Sequence, residues 1–234
     1  MAQSFREAGH LPKRRDGGQP ADPFELPRQR RGTTPQMHGR YPDYDVMEQA
    51  GHWDSVTRQT ITERVAQVPP IRFFTDEEVE VLGPFLDIVL AQEAEPKIPV
   101  LNMVDQKMAQ GKLDGFQYAD MPDDRDTWRL VARGLREQGF VEATEQERKG
   151  IVGRFADAKL SGGAWEELNV SRAWSVVTRG ALSEFYSHPW SWNEIGFGGP
   201  AYPRGYMRLQ PGPQGREPYE AIEAFDVDPV EDAD

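Results

Sequence analysis

Between residues 75 and 185 the chain is punctuated as a succession of helices, and no other feature limits its fold as strongly. Thr75-Asp-Glu-Glu78 and Thr144-Glu-Gln-Glu147 are capping boxes. In each, the threonine hydroxyl accepts from the amide three residues on, and the glutamate reaches back to the threonine amide. Phe74 and Val79 stand where a hydrophobic staple fixes the entry to the first helix. Val79, Leu82, Phe85, Leu86, Val89 and Leu90 follow at helical spacing, and Gly83-Pro84 among them predicts a kink. A second helix is expected from Pro99 to Gly111, with Leu101, Val104 and Met108 on its apolar face. Asp123 or Asp124 caps a third, which carries Trp128, Val131 and Leu135 and stops at Gly139. The fourth holds Ile151, Val152, Phe155 and Leu160 and is closed by Gly162-Gly163. The fifth, with Trp174, Val177, Ala181 and Phe185, must end before Pro189. Connections are short and no run alternates with period two. The expected fold is therefore all-α, a small bundle of about five helices.

The flanks read differently. Residues 1–70 contain eight prolines and few apolar side chains beyond Tyr41, Tyr44, Val46, Met47 and Trp53. Proline restrains its neighbours to extended conformations, so an extended, partly disordered arm wrapping a partner is expected, with one short helix around Trp53 to Val65. Residues 71–210 then form the helical domain, and 211–234 an acidic, Pro-rich tail.

Composition removes several classes of function. The absence of cysteine excludes disulfides, thiolate nucleophiles and cysteine-ligated zinc or iron–sulfur clusters within this chain. A net charge of −12 disfavours general nucleic-acid binding, which needs a basic surface. Residues 1–40 run against that balance, with eight Lys/Arg to four Asp/Glu. This sparse basic arm fits a clasp for an acidic partner, a solvated segment, or RNA binding. There is no run of 18 apolar residues. Lys13-Arg14-Arg15 is followed by Asp16-Gly17-Gly18-Gln19-Pro20 rather than an apolar stretch, so no signal peptide is apparent and a cytoplasmic location is expected.

The segment 185–206 is where function concentrates: seven of its 22 residues are aromatic, four are glycine and three proline. Such a stretch cannot form a long regular element, and its rings must pack on the chain's own body or on another protein. Gly196-Phe-Gly198-Gly-Pro-Ala201 matches the spacing of a dinucleotide fingerprint, but no buried strand precedes it and no helix follows. His188 and Glu194 are two potential ligands without a third, so a metal site is not filled. Trp128, Trp165 and Trp174 read as core, whereas Trp190 and Trp192, two apart in a non-helical loop, read as core or as interface anchors. The candidate partner interface comprises His188, Trp190, Trp192, Glu194, Phe197, Tyr202, Arg204 and Tyr206, together with Tyr41, Tyr44 and Trp53 from the arm.

Tyr186-Ser-His-Pro-Trp-Ser-Trp-Asn-Glu-Ile-Gly-Phe-Gly-Gly-Pro-Ala-Tyr-Pro-Arg-Gly-Tyr206 resembles the C-terminal signature of the gluconate 2-dehydrogenase subunit 3 family. Phe74-Thr-Asp-Glu-Glu78, Ile98-Pro-Val100 and Asp114-Gly115 are similar to that family's opening helices. The resemblance implies a non-catalytic accessory subunit, with no cofactor of its own, that packs on a large FAD-binding oxidoreductase of the glucose–methanol–choline type. Such a complex oxidises a sugar or sugar-acid hydroxyl, and the resemblance places its FAD on the partner. Two rivals stand beside this reading. One is an enzyme using His188 and Glu194 in an aromatic pocket; the other is an RNA-binding or scaffold protein acting through residues 1–40.

Overall fold

A computed structural model describes residues 45–113, 115–195 and 197–201 in full, and the backbone of 208–212 and 215–219. Seven α-helices follow a 3-10 helix at Val46–His52: α1 Ser55–Ala66, α2 Asp76–Val89, α3 Val100–Ala109, α4 Asp124–Glu137, α5 Glu145–Ala156, α6 Val170–Phe185 and α7 Pro189–Ile195. A second 3-10 helix, Gly163–Glu167, joins α5 to α6, and an antiparallel hairpin pairs β1, Arg208–Gly212, with β2, Gly215–Tyr219. The all-α expectation holds for the body of the chain.

Both capping boxes form. The Thr75 hydroxyl accepts from the Glu78 amide while the Glu78 carboxylate accepts from the Thr75 amide, and Thr144 and Glu147 repeat the arrangement. Asp123, rather than Asp124, caps α4 by accepting from the Asp126 amide. α2 runs unbroken through Gly83-Pro84, because packing on both sides outweighs one missing backbone donor. α5 ends earlier than expected. Ala158 takes a left-handed φ of 56° and the Lys159 amide donates to the Arg154 carbonyl, so Leu160 reaches the core from a loop. Gly162-Gly163 instead opens the second 3-10 helix.

α2 and α6 are the central elements. α2 lies against α3, α4 and α5, and α6 packs on the same three helices. Between them Phe85, Phe155, Trp165 and Trp174 form a ring cluster, with Phe155 at 4.8 Å from Trp165 and 5.1 Å from Trp174. Gly134 lets Trp165 approach α4, since a Cβ there would stand 2.6 Å from the indole. Asp105 is the one carboxylate among the described residues that is wholly enclosed, and it accepts the amides of Arg72, Phe73 and Phe74 at 2.7–2.8 Å. It therefore fixes the bend that leads into α2 from a position on α3. A carboxylate accepting three backbone donors repays much of the cost of its burial.

Two expectations need revision. The short helix expected around Trp53 to Val65 forms as α1, but the described part of the arm, residues 45–70, packs on the body rather than standing apart from it. Val46, Met47, Ala50, Trp53, Ile61 and Val65 all join the main core. Trp190 and Trp192 do not lie in a non-helical loop either, because Pro189 starts α7, where its missing N–H costs nothing.

Candidate functional site

The site is the junction where the segment 185–199 meets the 3-10 helix and α1. α6 ends at Phe185, and its last turn is tied down locally. The Ser187 hydroxyl donates to the Glu184 carbonyl at 2.8 Å, and the Ser191 hydroxyl lies 2.7 Å from both the Phe185 and His188 carbonyls. These short bonds turn the chain through a tight bend and allow α7 to begin at once. Serine is suited to this task because its hydroxyl reaches nearby backbone carbonyls.

His188 sits in that bend with 1% of its surface exposed. Its Nδ1 accepts from the Trp190 amide at 3.2 Å, which leaves the proton on Nε2, and the ring also bonds to the backbone of Arg64. Burial pushes its pKa down to about 4, opposed by that backbone bond and reinforced by the neighbouring Arg64 charge. The Trp190 ring meets the imidazole edge-on at 4.9 Å. His188 is thus a neutral, enclosed structural side chain at ordinary pH. As the acid or base of an aromatic pocket it would need an open face, and none is left.

Long-range bonds then join the two ends of the domain. Asn193 Oδ1 accepts from the Val46 amide at 2.7 Å across 147 positions, and Arg64 Nη1 donates to the Ser187 carbonyl at 2.7 Å across 123. Trp192 Nε1 donates to the Tyr186 carbonyl at 2.6 Å, and its ring meets Phe197 at 5.4 Å. Gly199 adopts φ 89°, and a Cβ there would stand 3.0 Å from both the Trp53 ring and Val46. Its glycine is required by both conformation and close approach. Arg58 closes the far side by donating to the Ala50 and Trp53 carbonyls.

Of the candidate interface residues, Trp53, His188, Trp190 and Trp192 are brought together here, and all four are buried within the chain itself. Neither indole stands on the surface of this chain, whose α7 lies against the 3-10 helix and α1. Glu194 and Phe197 are partly exposed. Tyr41, Tyr44, Tyr202, Arg204 and Tyr206 lie outside the described residues. The spacing of the glycines had no nucleotide role to serve at Gly199, where backbone passes under Trp53. Residue reading missed Asn193, Ser191, Arg64 and Asp105. Asn193 and Ser191 left one signal, as polar side chains interleaved with tryptophans, while Asp105 followed Val104 on an apolar helix face.

Among the described residues no group of three or more His, Asp or Glu could hold a metal ion, and no helix is long and apolar enough to cross a membrane. The fold and this junction define a small helical protein whose most distinctive segment is an internal tie. The chain belongs to the family described as gluconate 2-dehydrogenase subunit 3, whose sequence model matches residues 76–199. The matched span runs from the first residue of α2 to the glycine beneath Trp53, so it takes in the α6–α7 side of the tie but not its partners Val46, Trp53 and Arg64. Comparison with curated proteins and with solved structures finds no match.

Proposed function

We propose that this chain is an accessory, non-catalytic subunit of an oxidoreductase complex. On this reading it packs on a large FAD-binding subunit of the glucose–methanol–choline type that oxidises a sugar or sugar-acid hydroxyl in the cytoplasm. The observation that carries it is membership of a family named for the third subunit of a gluconate 2-dehydrogenase. The construction of the junction supports it. In the signature segment Asn193 and the Ser187 carbonyl join the two ends of the domain, and its histidine and both tryptophans are buried beside them. What the partner receives is therefore a preformed, rigid surface, which lowers the ordering cost of association.

Co-expression with glucose–methanol–choline flavoproteins from the same genome tests this reading. The expected result is a complex that carries flavin absorbance and co-elutes with this chain on size-exclusion chromatography. A chain that stays monomeric beside every such flavoprotein would refute it. So would turnover by the isolated chain that His188→Asn abolishes while leaving the fold intact.

A further inference from the structure

The apolar core is continuous, but the described helices fall into two packing groups. α2, α3, α4, α5 and α6 pack on one another, whereas the main neighbours of α1, of the 3-10 helix Val46–His52 and of α7 are each other. The tryptophans divide the same way, with Trp128, Trp165 and Trp174 in the first group and Trp53, Trp190 and Trp192 in the second. The polar ties respect the division. The Val46 amide donates to Asn193 Oδ1, Arg64 Nη1 donates to the Ser187 carbonyl, and the His188 ring bonds to the backbone of Arg64. Each of these ties from residues 45–66 lands between residues 187 and 193.

Both borders of the second group are pinned to the first without its help. Asn102 Nδ2 of α3 donates to the Pro69 carbonyl at 2.8 Å, and Asp105 accepts the amides of Arg72, Phe73 and Phe74. At the other border the Ser187 hydroxyl donates to the Glu184 carbonyl of α6. Gln67 and Val68 alone lie between the end of α1 and the pinned Pro69, and Val68 is 63% exposed. Pro69 restrains Val68 to extended conformations, so the two residues make a short hinge rather than a continuation of α1.

Neither helix of the second group can stand alone. An isolated helix is marginal below about 12–15 residues, and α1 has 12 while α7 has seven. The family match covers 76–199, so α7 lies inside it and the segment that covers α7 lies outside. We propose that residues 45–66 are a releasable strap, which leaves the body in step with the melting of residues 187–195 while α2–α6 stay folded. The closed state is the populated one. Opening bares Trp190 and Trp192, each 7% exposed when the strap is docked, and removes the surface that the ordered junction presents. The strap thus controls whether the signature segment is ordered. It is a property of the isolated chain and stands apart from the identity of any partner subunit.

Fluorine NMR of the full chain labelled with 5-fluorotryptophan, followed through a urea titration, tests the proposal, because each packing group holds half of the six tryptophans. The resonances of Trp53, Trp190 and Trp192 are expected to reach their unfolded positions together, at a lower urea concentration than those of Trp128, Trp165 and Trp174. Asn193→Ala removes the acceptor of the enclosed Val46 amide. It should raise the open population about tenfold and move the first transition only. Loss of all six native signals in one transition of the unsubstituted chain would overturn the proposal. So would release of Trp53 while Trp190 and Trp192 stay native, or an Asn193→Ala shift of equal size in both transitions.

Discussion

His188→Asn isolates the energetic consequence of enclosing an imidazole in the α6–α7 bend. The asparagine oxygen can still accept from the Trp190 amide, so the local bond has a substitute while the titrating group is gone. In the native fold the imidazole pKa is depressed from an ordinary 6.5 to about 4 by burial. The unfolded chain therefore binds a proton between those values and the folded chain does not, so stability falls as pH drops through that window and levels off below it. Stability present above pH 6.5 declines by about 2.5 kcal/mol by pH 4.5, with each pH unit worth about 1.4 kcal/mol. Carboxylates titrate in the same range but do so equally in both proteins. Urea unfolding at about pH 7.5 and about pH 4.5 gives four free energies. The stability advantage of the wild type over the variant should shrink by roughly 2–3 kcal/mol between the two conditions. Any packing defect from the smaller side chain cancels in that difference of differences. An advantage of equal size at both pH values would mean that His188 is not held neutral, and the account of the bend would fail.

Three further outcomes follow from the same geometry. Asp105→Asn leaves one acceptor oxygen for the three amides of Arg72, Phe73 and Phe74, and should cost about 3 kcal/mol in chemical unfolding; a loss below about 1 kcal/mol would show that those amides find other partners. Gly199→Ala combines a φ of 89° with contacts at 3.0 Å to Trp53 and Val46. It should destabilise by about 2 kcal/mol and speed amide exchange in the 3-10 helix Val46–His52 ahead of α2, whereas uniform exchange would argue against a local tie. Ala158→Gly, at φ 56°, should raise stability by about 0.5–1 kcal/mol, read as a higher melting temperature; an unchanged or lower value would refute strain at that cap.

How much was legible in the sequence depends on how far apart the interacting groups lie along it. The helices of the middle region were readable because a capping box closes within four residues and an apolar face repeats every three or four. Family resemblance was readable for the same reason, since Tyr186-Ser-His-Pro-Trp is a contiguous string. One local reading still goes astray: α5 is expected to run on toward Gly162, but a left-handed Ala158 ends it earlier. Propensity is worth a few tenths of a kcal/mol per residue, and packing several times that.

The sequence by itself determined the helical class, the absence of cysteine chemistry, the acidic balance and the membership of the gluconate 2-dehydrogenase subunit 3 family. Only the tertiary structure decided what the aromatic segment does with its rings. Nothing near Asn193 in the chain announces that its partner is the amide of Val46, or that Arg64 meets Ser187. Such pairings depend on how α1 and α7 are brought together, and that is settled by the burial of Trp53, Trp190 and Trp192 against one another's elements. Composition could say that these indoles needed cover, because large apolar rings lose free energy in water. It took the fold, in which the two ends of the domain are the nearest apolar surfaces available, to show that the cover is the chain itself.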